Sequence, residues 1–399
     1  MVEILVLNAG SSNLKFAIYA AEGEGDPVCQ LSGQVSDLGA APTLTARDHK
    51  TGAQWRETMA VTSSEATDGG LSAALDWLKG REGLQPDVIG HRIVHGGLDF
   101  TAPAVLNPRA MSALQRLAPL APLHQPANLA AVEAAARQWP RALQVGAFDT
   151  AFHATQPRLA RLYAIPRDLT DDGVLGYGFH GLSYAYIAGR LVEAFGPEAG
   201  GRVIVGHLGS GVSLCALDRG RSLATTMGFS ALEGPPMSTR SGSIDPGVLL
   251  YLLQSRGYDA EGLSELLYRR SGLLGVSGES GDVRKLLASR SPAAREALEL
   301  FAYRIGREIG GLAAALGGVD RMVFTAGVGE NSPEVREAVA GQCRWLGLDL
   351  DPEANRTGAE QISRSESRVQ ALVWRTDEQI IIARAAHDLW KAQEGQGRP

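Results

Sequence analysis

Ile4-Leu5-Val6-Leu7-Asn8-Ala9-Gly10-Ser11-Ser12-Asn13-Leu14-Lys15-Phe16-Ala17-Ile18-Tyr19 is an apolar run, a turn of small residues and a second apolar run. That order reads as a β-hairpin. A related stretch, Val203-Ile204-Val205-Gly206-His207-Leu208-Gly209-Ser210-Gly211-Val212-Ser213-Leu214-Cys215-Ala216-Leu217, occurs later in the chain. Aligning Asn8 with His207 sets one offset that also pairs Gly10 with Gly209, Ser11 with Ser210 and Ala17 with Ala216. Turns of Gly and Ser let backbone N–H groups and hydroxyls converge on an anion, because no side chain blocks the approach. Two such hairpins imply two related lobes facing one polyphosphate, and hence phosphoryl transfer.

Around the hairpins, strand-like runs alternate with Ala/Leu/Arg-rich helical segments, the pattern of an α/β protein. Asp87–Gly97 reads as a buried strand ending in a glycine turn, and Leu143–Phe148 as a strand ending at Asp149. Asn128–Gln138, Ser183–Phe195, Pro292–Leu316 and Gln379–Lys391 read as helices. Arg321–Ala326 reads as a strand, Gly327–Asn331 as a turn, and Ser332-Pro333 as a helix start with an N-cap serine. The lobe boundary is expected near residue 150, giving lobes 1–150 and 151–385. The closing helix, about 386–399, is expected to return to the first lobe.

The 399 residues carry a net charge of −6 and no basic run, which argues against nucleic acid as a partner. No stretch reaches the roughly 18 apolar residues a membrane span needs. Cys29, Cys215 and Cys343 lack metal-ligand spacing and read as buried thiols. With no signal-type segment at Met1-Val2-Glu3, the expected location is the cytoplasm.

Several residues stand out chemically. Arg92 in a strand needs an anion, either a phosphate or carboxylate ligand or a buried salt-bridge partner. Alternation places Arg92, Val94 and Gly96 on one face of that strand. Asp149, at a strand's carboxyl end, is a base or metal-orienting group, or else a helix N-cap. His180, between glycines, is placed to donate to a moving phosphoryl group. Arg240 in Met237–Pro246 presents a guanidinium amid small residues, suited to an oxyanion. Gly327–Asn331 is a candidate nucleotide turn, and Glu378 reads as a magnesium ligand or a helix cap.

In order along the chain, Asn8–Phe16, His91–Gly97, Phe148–His153, Tyr177–Ser183, His207–Gly211, Met227–Pro246, Ser277–Arg284, Gly327–Ser332 and Thr376–Arg384 resemble the acetate kinase family. That family belongs to the acetate and sugar kinase, heat-shock ATPase and actin superfamily. The resemblance implies two duplicated ribonuclease-H-like lobes, the actin-like ATPase fold, around a central cleft, usually as a homodimer. It implies reversible, direct in-line transfer from ATP to acetate, giving ADP and acetyl phosphate, with Mg2+ or Mn2+.

The site residues follow from the same resemblance. Asn8, Ser11 and Lys15 would lie at the phosphate and metal end, and Glu378 would bind the metal. Arg92 and Arg240 would hold acetate and the phosphoryl group, supported by His180, with Asp149 positioning metal and nucleophile. Val94, Leu123, Phe179 and Ala231 would line the acyl pocket. His207, Gly209, Ser210 and Gly211 would follow the nucleotide phosphates. Asp282, Val283, Arg284, Gly327, Val328, Gly329 and Asn331 would surround the adenosine.

The chain departs from the family pattern at Asn13, Ser210 and Val283, which bear on nucleotide preference, and at Ala224 and Ser243 beside the arginine loop. Ala231 replaces a proline and implies a wider acyl pocket. Propionate or butyrate kinase is therefore an alternative. Others are a carboxylate-independent ATP or acyl-phosphate hydrolase and a nucleotide-gated interaction module.

Overall fold

A computed structural model describes residues 1–10, 13–38, 41–59, 66–80 and 84–395; Ser11 lies outside them. The chain forms two compact units, Met1–Ala151 with Asp377–Pro399, and Phe152–Thr376. It re-enters the first unit at Asp377, ahead of the residue 386 at which the sequence reading starts the returning helix.

The first unit is built on strands β1 (Val2–Ala9), β2 (Asn13–Ala21), β3 (Val28–Ser36), β4 (Thr43–Asp48), β5 (Gln54–Thr58), β6 (Val88–Ile93), β7 (Ala104–Val105) and β8 (Leu143–Phe148). Their order in the sheet is β5-β4-β3-β2-β1-β6-β8-β7. The second unit holds β9 (Arg202–Leu208), β10 (Val212–Asp218), β11 (Arg221–Thr225), β12 (Arg321–Thr325) and β13 (Gln370–Val373), ordered β11-β10-β9-β12-β13. In each unit a first strand pairs antiparallel with the second and parallel with the fourth of a five-strand set. The two sheets therefore repeat one topology: β3-β2-β1-β6-β8 in the first and β11-β10-β9-β12-β13 in the second. The protein is α/β, with the duplicated lobes of the actin-like ATPase fold.

The hairpins themselves differ slightly. Val6 pairs with Ala17, and its counterpart Val205 pairs with Cys215. The second turn is thus one residue shorter, and Ala17 corresponds to Cys215 rather than to Ala216. A Gly10 N–H bond to the Asn13 carbonyl (2.7 Å) closes the first turn, and a Gly209 N–H bond to the Gly211 carbonyl (3.0 Å) closes the second.

Apart from Glu3 and Asn8, β1 is apolar, because both faces are covered. One face packs on helices Ala66–Lys79 and Gln125–Gln138 through Leu71, Leu75, Leu78, Ala131 and Ala135. The other meets helix Glu378–Glu394, which lies so close that a methyl on Gly90 of β6 would strike Ile382. In the second unit, Tyr184, Ile187 and Leu191 of helix Gly181–Phe195 pack on Val203, Val205 and Val323. Helix Pro292–Leu316 packs against β9, β10 and β11.

Two local readings change. Gly327–Asn331 is a short helix, Ala326–Asn331, rather than a turn. Ser332 makes no side-chain capping bond to helix Pro333–Gln342; its hydroxyl turns to Glu334 instead. Of the cysteines, Cys215 and Cys343 are buried and Cys29 is only half-buried.

His91, His95 and His153 are buried, and burial pushes each pKa down to about 4, against which hydrogen bonds to Gln144 and to the Phe179 carbonyl work at His91 and His153. The folded protein keeps all three neutral where the unfolded chain, with histidine near 6.5, takes up protons. Stability is then whole above pH ~6.5 and falls as pH drops towards ~4, by about 1.4 kcal/mol per pH unit per histidine. Urea titrations between pH ~7 and ~5 should show the midpoint falling steadily; a flat profile would contradict neutral burial.

Candidate active site

In the first unit the parallel strands β1, β6 and β8 end at one edge, where ligands gather in open α/β sheets. Asn8 and Arg92 are the penultimate residues of β1 and β6, and Asp149 follows β8. The Arg92 guanidinium meets Asp149 through Nη2–Oδ2 at 2.6 Å, with Nε at 3.2 Å from both carboxylate oxygens. Its Nη1 donates to Asn8 Oδ1 at 3.3 Å, and Asn8 Nδ2 donates to Glu378 Oε2 at 3.2 Å. Burial opposes the charge on Arg92, but Asp149 and Glu378 outweigh it and raise its pKa.

Asp149 is fully buried against Arg92 as its salt-bridge partner, while the Arg92 side chain keeps 19% of its surface open. Such an edge can still receive an anion. Glu378 is not the helix cap. Asp377 caps the helix by accepting from the Gln379 and Ile380 N–H groups, leaving Glu378 turned to Asn8.

Elsewhere in this unit, Lys15 is exposed and faces Asn8 across the β1–β2 ladder. Val94 is buried and Leu123 half-buried. Asn128 went unnoticed inside an apolar helical pattern. It accepts from the Val94 N–H (2.9 Å) and donates to the Ala9 carbonyl (2.6 Å), tying the ends of β1 and β6 together.

The second unit gathers a different set. His180 and His207 stack with ring centroids 4.2 Å apart. A Cβ on Gly211 would lie 3.1 Å from His180 Nε2 and 3.8 Å from Arg240 Nη1. A Cβ on Gly209 would lie 3.6 Å from both His207 Nε2 and the Ala326 methyl. His180, His207, Arg240 and the Gly209–Gly211 turn therefore form one cluster, with the Ala326–Asn331 helix beside it.

Side chains behind the cluster hold its two rings. The Tyr184 hydroxyl, which burial keeps protonated, takes a bond from the His207 backbone and contacts Ser213 Oγ. Ser213 Oγ lies 2.8 Å from His180 Nδ1. His180 Nε2 is the ring nitrogen that faces Gly211. His207 Nδ1 pairs with Ser183 Oγ at 2.8 Å.

The arginine loop is held by backbone. Arg240 Nη1 donates to the Ala231 carbonyl (3.1 Å), and the Ser238 N–H donates to the Ser210 carbonyl (3.2 Å). The Phe179 side chain is buried and Ala231 half-buried. Val283 is buried as well, between Asp282 and Arg284, which pair with each other at 2.7 Å. Beyond the cluster, Gly327 is open, Val328 half-buried and Gly329 buried, and Asn331 Nδ2 donates to the Gly327 carbonyl. Glu330 and Arg336 escaped the sequence reading. Glu330 accepts from the Ala326 and Thr376 N–H groups, and the buried Arg336 binds the Gly329 and Glu330 carbonyls.

No group of three or more His, Cys, Asp or Glu residues able to cage a metal occurs among the described residues. Magnesium needs no such cage, since it is commonly held by one or two carboxylates with water and substrate phosphates. The uncapped Glu378 carboxylate beside Asn8 fits that pattern.

Comparison with known proteins agrees with this architecture. The profile of the Acetokinase family matches residues 3–384. An acetate kinase of Rhodopseudomonas palustris (strain TIE-1) is 47% identical over 402 residues, covering 98% of each chain. Among solved structures, a propionate kinase from Francisella tularensis superposes with a TM-score of 0.89 at 30% identity, covering 97% of this chain and 100% of that one. The Porphyromonas gingivalis acetate kinase gives 0.83 at 36% identity, with 98% and 100% covered.

The loop geometry generates a test. Gly272 has φ +61°, and a methyl there would run into the carbonyl oxygens of Met237 and Arg240. Gly272→Ala should displace the Arg240 loop and lower kcat at least about tenfold, since ångström shifts of a charge-stabilising group cost that much or more. Steady-state kinetics beside a melting curve would check this; unchanged kcat in a folded variant would show that the loop tolerates the shift.

Proposed function

The chain belongs to the acetate kinase family, and from that membership we propose that it transfers the γ-phosphoryl group of ATP reversibly to acetate, giving acetyl phosphate and ADP. The observation that carries the reading is the Arg92 guanidinium, fixed by buried Asp149 and Asn8 yet still partly open, at the carboxyl edge of the sheet. Acetate is ionised at neutral pH, because carboxylic acids titrate near ~4. The nucleophile therefore needs no strong base. The chemistry reduces to positioning two anions and neutralising charge in a direct, in-line transfer.

Roles divide by unit. Arg92 binds the acetate carboxylate, Asp149 holds Arg92 in place, and Val94 and Leu123 are the first unit's residues assigned to the methyl group, Phe179 and Ala231 those of the second. Asn8 and Glu378 would hold magnesium, whose charge offsets the phosphates when bound, and Lys15 meets the phosphate end. His180 donates from Nε2 to the phosphoryl oxygens, and Arg240 neutralises them. His207 and Gly209–Gly211 follow the nucleotide phosphates. Asp282, Val283, Arg284 and the 327–331 segment take the adenosine. The same reading places the enzyme in the cytoplasm.

Propionate is a second acceptor favoured by one observation. Ala231 brings only a methyl group where the family pattern has a proline ring, while its carbonyl still holds Arg240. Incubation with ATP, magnesium and each of acetate, propionate and butyrate, with hydroxylamine trapping of the acyl phosphate, tests both. No trapped product from any acid, or phosphate release independent of added acid, would overturn the kinase reading. Arg240→Ala should lower kcat by about 10²–10³ with the fold intact. Near-normal turnover would remove Arg240 from the mechanism.

We also infer that the enzyme is a homodimer. Helix Pro246–Ser255 buries none of its residues, and Val248, Leu250, Tyr251 and Leu253 are exposed along with Ile244. An apolar helix of this kind is a natural self-association surface. Leu250→Glu should shift the sedimenting species from dimer to monomer; a wild-type species that sediments as a monomer would refute the assignment.

A further inference from the structure

His153 lies in the 3-10 turn Ala151–Thr155, is wholly buried, and has no part in the roles above. Its Nε2 lies 2.9 Å from the Phe179 carbonyl oxygen, which can only accept, so Nε2 carries the proton. Its Nδ1 takes a hydrogen bond from Ser222 Oγ at 2.9 Å, and Gln156 Nε2 supports that hydroxyl at 3.1 Å. Both ring nitrogens are therefore committed, and the ring is neutral and fixed.

The turn that His153 grips is an unusual one. Gly178 has φ +82°, and a methyl there would collide with the His153 ring. His180, two residues on, has φ +57° and ψ +24°, the left-handed region that a residue with a Cβ adopts at a cost of ~1 kcal/mol or more. The Phe179 carbonyl sits between these two residues. The His153 ring also meets Tyr184 edge-on at 5.6 Å, and the Tyr184 hydroxyl contacts the same Ser213 Oγ that pairs with His180 Nδ1. One buried side chain thus touches both the backbone that aims His180 and the aromatic ring behind its Ser213 partner.

We propose that His153 is a positioning residue for phosphoryl transfer: its Nε2–H, bonded to the Phe179 carbonyl, holds His180 in the left-handed conformation that turns Nε2 towards Gly211. The inference rests on the reading of His180 as the hydrogen-bond donor to the transferring phosphoryl group. Loss of the bond frees the Phe179 carbonyl and lets the Gly178–His180 turn relax. The substrates are still bound, but the transition-state contact is misplaced.

The test compares His153→Gln, whose amide nitrogen reaches the Nε2 position, with His153→Asn and His153→Leu, which leave the Phe179 carbonyl bare. Steady-state kinetics of the full-length protein should show Asn and Leu lowering kcat at least about tenfold, with KM for ATP and acetate within about threefold, and Gln retaining kcat within about threefold. Adding His180→Ala to His153→Asn should lower kcat no further than His180→Ala alone. Equal losses in all three variants, a change confined to KM, or additive losses in the double variant would overturn the proposal and leave His153 as packing only. Full turnover in His180→Ala alone would instead sink the reading of His180 and this inference with it. Should Leu fail to fold, the Gln and Asn pair decides.

Discussion

The Arg92–Asp149 ion pair is the constraint on which the first unit's chemistry depends. A carboxylate with 1% of its surface open is costly unless a cation meets it. Asp149 finds that cation on the neighbouring parallel strand, at a register where Ile93 faces Phe148. The pair fixes the guanidinium plane, and Asn8 and Glu378 follow as the next links in the same network. Because Asp149 takes only part of the fork, the rest can accept an anion without rearrangement. Preorganisation of this kind reduces the reorganisation that catalysis would otherwise need at the moment of transfer.

The second unit solves a similar problem with backbone. Its cluster carries the Arg240 guanidinium and two stacked imidazoles, with a carbonyl and hydroxyls among their partners. Ala231, Ser210 and Phe179 each contribute a main-chain oxygen that locates a loop or a ring. The two units thus share a strand order while presenting different residues at it.

Much of this was legible in the residues. The hairpins, the strands through Arg92 and Asp149 and the helix from Pro292 announce themselves by period and by punctuation at Gly, Ser and Pro. Arg92 stood out because arginine in an apolar strand demands a partner. The partners were less legible, since nothing local ties Asp149 to Arg92 or Ser213 to His180; tertiary pairing decides them. Ser332 shows the opposite failure. Its Ser-Pro pattern is a strong cap signal, yet Glu334 draws its hydroxyl away. Glu330 lay hidden because it reaches back to Ala326 in a spacing unlike the capping box. Asp377 and Glu378 are adjacent acids that sequence alone cannot separate, and only the helix start tells cap from ligand.

Three of the positions at which the sequence reading sees a departure from the family, Asn13, Ser210 and Ala231, make main-chain hydrogen bonds. Asn13 contributes its carbonyl to close the first hairpin turn on the Gly10 N–H. Ser210 contributes its carbonyl to the Ser238 N–H, anchoring the arginine loop. Neither bond involves the side chain that differs. A position whose structural duty lies in its main chain can change residue type while the turn keeps its shape, provided the new residue tolerates the same φ and ψ. Ala231 belongs to the same class, holding Arg240 through its carbonyl while its side chain is free to set the room beside it. At all three, the main-chain bond would survive a change of side chain that keeps the same φ and ψ.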